Sequence, residues 1–178
     1  LPRSSRKIAG NSWGEERFHR HKKTAYYRSG FRSEIGSALA VVFPETLLQQ
    51  WHILQHCVNG GCAIIMQGAK TGLTEGSCPR EYNYARPVII INTRRLTKLI
   101  LLDGGKQVLA LPGASLHQLE NLLRPLGRMP HSVIGSTGIG ATIVGGIANN
   151  AGGALCKRGS SYTELSLFAK VNASGKLQ

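Results

Sequence analysis

Acidic side chains are scarce in this sequence. Nine Asp and Glu stand against 22 Lys and Arg, a formal net charge of +13 over 178 residues. A chain this basic concentrates near nucleic acid or near an anionic membrane face. The excess is uneven: residues 1–35 hold nine cations and three anions (Glu15, Glu16 and Glu34). A solvated, loosely ordered arm accounts for the same charge without any partner. Long apolar runs are missing too. "ALAVVF" and "PVIII" are strand-length, well short of the roughly 18 residues that a membrane span needs. The basic N-terminus has no apolar signal-peptide core. Cysteines are few, and Cys57, Cys62, Cys78 and Cys156 show neither CxxC spacing nor a His at metal-ligand spacing. Their apolar surroundings fit a reduced, intracellular protein better than a disulfide framework.

What remains is a globular balance, 42% hydrophobic and 17% charged, at a length that suits one domain or one domain and part of another. Residues 1–30 show no clear period and read as a basic, poorly patterned N-terminal arm. Ala38 to Phe43 then reads as a strand that stops at Pro44. Thr46 to Asn59 reads as a helix, with Leu47, Trp51, Leu54 and Val58 on its apolar face, Trp51 in the core, and Gly60-Gly61 as the stop. His52 and His56 share a helical face without a third ligand, so they read as a surface or half-buried pair. Cys62–Met66, Pro87–Asn92, Leu96–Leu102 and the second half of Gly104–Gly113 read as strands. Ser115 and Gln118 form a capping box for a helix whose apolar stripe is Leu116, Leu119, Leu123 and Leu126, ended by Gly127. The order β-α-β-loop-β-β-β-α predicts an α+β unit with one covered sheet face. A short helix is expected near Thr142, and Leu165–Val171 alternates like a strand, followed by a turn.

Glycine is the one residue in surplus, 22 in all, and it gathers in two zones. The first is "QGAKTGLTEGS" (Gln67–Ser77), entered straight from an apolar run. The second is "HSVIGSTGIGATIVGGIANNAGG" (His131–Gly153), with seven glycines. Such turns bring main-chain N–H groups close to a ligand and form small anion-binding concavities, to which Thr and Ser hydroxyls add donors. Neither zone has the G-x-x-x-x-G-K-[ST] or G-x-G-x-x-G spacing, so P-loop and Rossmann readings fail. Tight turns explain either zone alone. Two such walls together suit a long nucleotide cofactor whose diphosphate lies between them.

These two zones, in this order, resemble the FAD-binding domain of the p-cresol methylhydroxylase and vanillyl-alcohol oxidase type. "GFRSEIGSALAVVFPETLLQQW", "PLGRMPHSVIGS" and "RGSSYTELSLFAKVNASGKL" are similar to segments of one group within it, the bacterial quinone-dependent D-lactate dehydrogenases. The likeness runs from about Lys23 to Gln178. It implies two α+β subdomains with noncovalent FAD extended between them, the first spanning residues 31–130 and the second beginning at 131–178. It implies oxidation of D-lactate to pyruvate, hydride passing from C2 to the flavin N5 while a base takes the hydroxyl proton, and electrons handed on to quinone. It also implies peripheral attachment to the cytoplasmic side of the bacterial inner membrane. Matched by position, the cofactor-binding residues are Gly68, Ala69, Lys70, Thr71, Gly72, Gly76 and Ser77 in the first zone. Those of the second zone are Gly135, Thr142 and Gly152. Lys70 departs from the family, which has glycine or a small polar residue there. Its cation is expected either to favour the diphosphate or to point to solvent. The N-terminal Leu and an end inside the second subdomain suggest a fragment, expected to retain little FAD and to turn nothing over alone. No catalytic residue is assigned, and His131 is expected to play a structural role. The other readings are an FAD-dependent oxidoreductase for a different 2-hydroxy acid and, outside enzymes, a basic nucleic-acid-binding module. The module has the charge but no recognisable motif.

Overall fold

Four consecutive β-branched residues, Val88 to Ile91, cannot hide on one face of a strand, because neighbouring side chains point to opposite faces. The fold answers by covering both. The computed structural model describes residues 21–80, 84–130 and 135–151, together with 172, 174 and 176. Among these, α1 (His21–Arg28), β1 (Ala40–Val42), α2 (Leu47–Asn59), β2 (Ala63–Gln67) and β3 (Val88–Asn92) build the first layer set. The strand order is β1-β3-β2 and both pairings are parallel, with Ala40 opposite Ile89 and Ala63 opposite Val88. Every residue of β3 is buried, as expected for the centre of a parallel sheet. On one face Ile89 and Ile91 pack with Ala40, Val42 and Ile64 under Ile53, Leu54 and Cys57 of α2. On the other, Val88 and Ile90 pack with Val41 and Ala38 against Tyr27, Phe43 and Tyr84. The expectation of one covered face is therefore corrected to two.

The helix α2 starts and stops where the sequence indicates. The Thr46 hydroxyl accepts from the Gln49 amide at 3.1 Å, and the Gln49 side chain accepts in return from the Thr46 amide at 3.2 Å, a reciprocal cap. At the far end Gly61 takes the left-handed conformation (φ 64), and the Cys62 amide reaches back to the Cys57 carbonyl at 2.8 Å. Its buried stripe is rotated from the expected one. Leu47 is 53% exposed, Trp51 is half-buried beside His52, and the contact with the sheet is made by Ile53, Leu54 and Cys57. Burial, with Cys62 close by, pushes the Cys57 thiol up to about 11.

A second cluster lies beyond Thr93. The strands β4 (Leu99–Leu102) and β5 (Gln107–Ala110) form an antiparallel hairpin whose turn runs through Gly104 and Gly105 in positive φ. Its inward residues Leu99, Leu101, Val108 and Ala110 pack on α3 (Leu116–Leu123), where Leu116, Leu119 and Leu123 are buried. The capping box at Ser115 and Gln118 forms as expected, at 3.1 and 2.8 Å. The last leucine of the stripe, Leu126, is 46% exposed. Over Arg124–Leu126 the chain tightens into a 3-10 turn with Pro125 inside it, and Leu126 lies across Gly105, where an added Cβ would stand 2.6 Å from its Cδ1.

Ala141 and Ile143, at the start of α4 (Ile143–Ala148), complete this same cluster, with Ile147 and Ala151 at its edge. The hydrophobic core thus runs across the expected boundary at residues 130 and 131. The expected strand Leu165–Val171 lies outside the described residues. Beyond it Asn172 Oδ1 accepts from the amides of Ser174 and Lys176 at 3.0 and 2.9 Å, which closes the expected turn. The arm expected over residues 1–30 ends in a helix, α1, anchored by Tyr27 edge-on to Phe43 at 5.0 Å.

Candidate functional site

In an open parallel sheet, ligands bind outside the carboxyl ends of the strands. Here those ends are marked by two polar residues that close apolar runs, Gln67 on β2 and its register partner Asn92 on β3. Both are buried, 1% exposed each. Asn92 Nδ2 donates to Gln67 Oε1 at 3.0 Å and to the Gly68 carbonyl at 3.3 Å. Gln67 Nε2 donates to the carbonyls of Tyr27 and Ser77 at 2.8 and 2.7 Å. One side chain therefore ties the start of the first glycine loop to its end and to α1. Buried amides are retained only when their donors and acceptors are met, and here they define the loop's mouth. Sequence reasoning passed over Asn92. A polar residue ending a run of isoleucines was the available signal.

From Gly68 the loop turns away from the sheet. Among the described residues, no acceptor takes the main-chain N–H of residues 68–74. Gly72 and Gly76 are exposed, and Ala69, Thr71 and Ser77 are half-buried. A Cβ on Gly76 would meet nothing within 4 Å. Two non-glycine residues take left-handed conformations, Lys70 (φ 61) and Glu75 (φ 57), each at a cost of about 1 kcal/mol.

Side-chain grips hold both. Lys70 Nζ donates to the carbonyls of Tyr26 and Ser29, 2.8 Å from the latter, and lies 4.0 Å from the centre of the Tyr26 ring. In this structure the side chain rests on the end of α1. Burial lowers the Lys70 ammonium, against the opposing pull of Cys78 and Glu75. Glu75 is buried and accepts from the Arg32 amide. The Ser33 hydroxyl, then the Arg32 amide, hold its carboxyl below the ordinary 4.5.

The two glycine zones meet. A Cβ on Gly68 would stand 2.9 Å from the Thr142 hydroxyl, and one on Gly145 would stand 2.7 Å from it. That hydroxyl caps α4 by accepting from the Gly145 amide at 3.1 Å. Further along, a Cβ on Gly72 would lie 3.8 Å from Asn149 Oδ1. The first loop thus runs beside α4 from Gly68 to Gly72. The second wall is held in turn by α3: the Leu116 amide donates to the Ala141 carbonyl at 2.9 Å, and the Ile143 amide to the Ala114 carbonyl at 3.0 Å. Gly135 opens the turn Gly135–Ile139, with open space where a Cβ would be. In the same turn Thr137 is 8% exposed and its buried hydroxyl has no partner among the described residues, a donor the sequence reading did not single out. Gly152 and His131 lie outside the described residues.

A loop of unpaired main-chain amides laid against the start of α4 is the kind of anion-binding surface that nucleotide-cofactor domains use. A family model described as an FAD binding domain matches residues 38–178, and the chain belongs to that family. It is 59% identical over 155 residues to the quinone-dependent D-lactate dehydrogenase of Escherichia coli (strain K12), covering 87% of this chain and 27% of that protein. The enzyme of the same name from Haemophilus influenzae is 51% identical over 156 residues, 88% of this chain and 28% of that one. The chain therefore spans about a quarter of the length of these relatives. The wild-type Physcomitrella patens BBE-like 1 structure shares the fold, with a TM-score of 0.69 at 19% identity over 92% of this chain and 35% of that one.

The residues present fit FAD. Among the described residues the amides of residues 68–74 are undonated, an open space lies where a Gly76 Cβ would be, and the Thr137 hydroxyl of the second zone has no partner. A diphosphate is a ligand that amides and hydroxyls recognise without a lysine.

Two outcomes follow. Gly68→Ala pushes a methyl against Thr142 and lowers FAD affinity about tenfold. In a Thr142→Ala background the same change costs far less, although loss of the cap itself destabilises by about 1 kcal/mol. Flavin fluorescence titration of the four proteins checks the coupling, and equal costs in both backgrounds contradict it. Glu75 has a depressed folded-state pKa, so its contribution is complete above pH 4.5 and disappears as pH falls through the folded value. Urea melts will show Glu75→Gln less stable than the parent at pH 7, with the gap closing in acid.

Proposed function

We propose that this chain is the flavin-binding part of a respiratory D-lactate dehydrogenase that oxidises D-lactate to pyruvate and passes the electrons to quinone. The observation that carries the reading is the 59% identity to the E. coli enzyme of that activity over 87% of this chain. FAD, when bound, supplies the acceptor for the substrate's hydride and relays the electrons. The chain's own part is to hold it. The amides of Ala69 to Gly72, the Thr71 hydroxyl and the second wall around Gly135 and Thr142 position the diphosphate. The loop's walls keep side chains out of its path.

We hold the attachment to be noncovalent. The loop from Gly68 to Ser77 contains no His, Cys or Tyr, the nucleophiles a covalent flavin link would use. The neighbouring Cys78 thiol is buried, donates to the Ser29 carbonyl at 3.3 Å, and is raised by that burial, which makes it a poor nucleophile. Peripheral attachment to the cytoplasmic face of the inner membrane is part of the same proposal. A net charge of +13, with an excess over residues 1–35, suits an anionic leaflet. No described helix is long and apolar enough to cross a membrane.

The test is anaerobic reduction of the full-length flavoprotein. D-lactate is expected to bleach the flavin band near roughly 450 nm, with quinone restoring it, and high salt is expected to strip the protein from membranes. Bleaching by a different 2-hydroxy acid and not by D-lactate would transfer the assignment to that substrate. Resistance to salt would remove the electrostatic account of attachment.

A further inference from the structure

Lysine has no intrinsic reason to occupy position 70. Its φ of 61 suits glycine, so something must hold it there. Its ammonium sits on the C-terminal end of α1, donating to the Tyr26 and Ser29 carbonyls over the Tyr26 ring. Carbonyls at a helix C-terminus lack partners within the helix, and a cation is favoured beside them. Five residues on, Glu75 takes the Arg32 amide just beyond the same helix. Gln67 and Cys78 add donors to the Tyr27 and Ser29 carbonyls at 2.8 and 3.3 Å. The helix is therefore clamped to both ends of the flavin loop, and the unpaired amides lie between the grips. This helix precedes residues 38–178, the part matched by the FAD-binding family.

We propose that Lys70 is a positioning residue for the flavin, whose side chain aims the amides of residues 69–72 at the diphosphate by gripping α1 and does not itself contact the cofactor. The proposal rests on the flavin reading. It makes the Tyr26 ring, 58% exposed, part of the same device.

The experiment is a double-mutant cycle in the full-length protein, read as FAD dissociation constants. Lys70→Met is expected to weaken FAD binding about tenfold, and Tyr26→Leu about threefold. The pair is expected to be no weaker than Lys70→Met alone, since both remove one grip. Lys70→Arg keeps the cation and restores most of the affinity, a rescue that bulk alone does not predict. A lysine that binds the diphosphate directly gives a different result: Tyr26→Leu is silent, or its cost multiplies with that of Lys70→Met. Either outcome overturns the proposal. A full-length protein that binds no FAD removes the flavin reading instead. Hydrogen exchange of residues 69–74 in the flavin-free protein then decides the clamp: faster exchange in Lys70→Met supports it and unchanged exchange overturns it.

Discussion

The hydroxyl of Thr142 is where the two glycine zones meet. Gly68 and Gly145 both lack the Cβ that would collide with it, at 2.9 and 2.7 Å, and it accepts the Gly145 amide that begins α4. One atom therefore caps a helix and spaces the two glycine zones. Everything that makes the site follows from that approach. The first loop can lie alongside α4 only because its nearest residue has no side chain. The second wall keeps its place because Ala141 and Ile143 belong to the core beneath α3. A ligand laid along the first loop meets the unpaired amides of residues 68–74, and main chain recognises charge and shape, with little sensitivity to which side chains are near.

Most of the architecture was legible because local rules and global packing agree. The two helices with capping boxes, α2 and α3, carry their signals within four residues, and the all-apolar run Val88–Ile91 marks a central strand. The second covered face of the sheet was not legible, since Tyr27 and Phe43, which help to cover it, are distant in sequence and show no common period. The rotated face of α2 has a similar cause. Leu47 satisfies the helical stripe on paper, but the sheet offers its contact at Ile89 and Ile91, which Cys57 reaches. Helix α1 lacked an apolar period altogether, because its place is fixed by polar grips on its carbonyl end and by an aromatic contact, Tyr27 on Phe43.

The site divides in the same way. The glycine zones announced themselves by composition, and the structure brings Gly68 and Thr142 into contact. The polar pair Gln67 and Asn92 escaped notice, though it sets the loop's mouth. Lys70 drew attention as a charge near a phosphate, and its side chain turned out to be employed on the protein itself. A cation in a phosphate-binding loop is easily read as a ligand. The left-handed backbone at Lys70, which no sequence displays, is what redirects the reading. Unlike the amides, which are main chain, these grips belong to particular side chains of this sequence.

An experimental structure of the full-length protein with FAD bound tests the central claim most directly. The account predicts diphosphate oxygens at hydrogen-bonding distance, roughly 2.7–3.2 Å, from amides of residues 69–72 on one side and from the Gly135–Thr142 wall on the other. A diphosphate held by one wall alone, with Gly68 and Thr142 drawn apart, would contradict it.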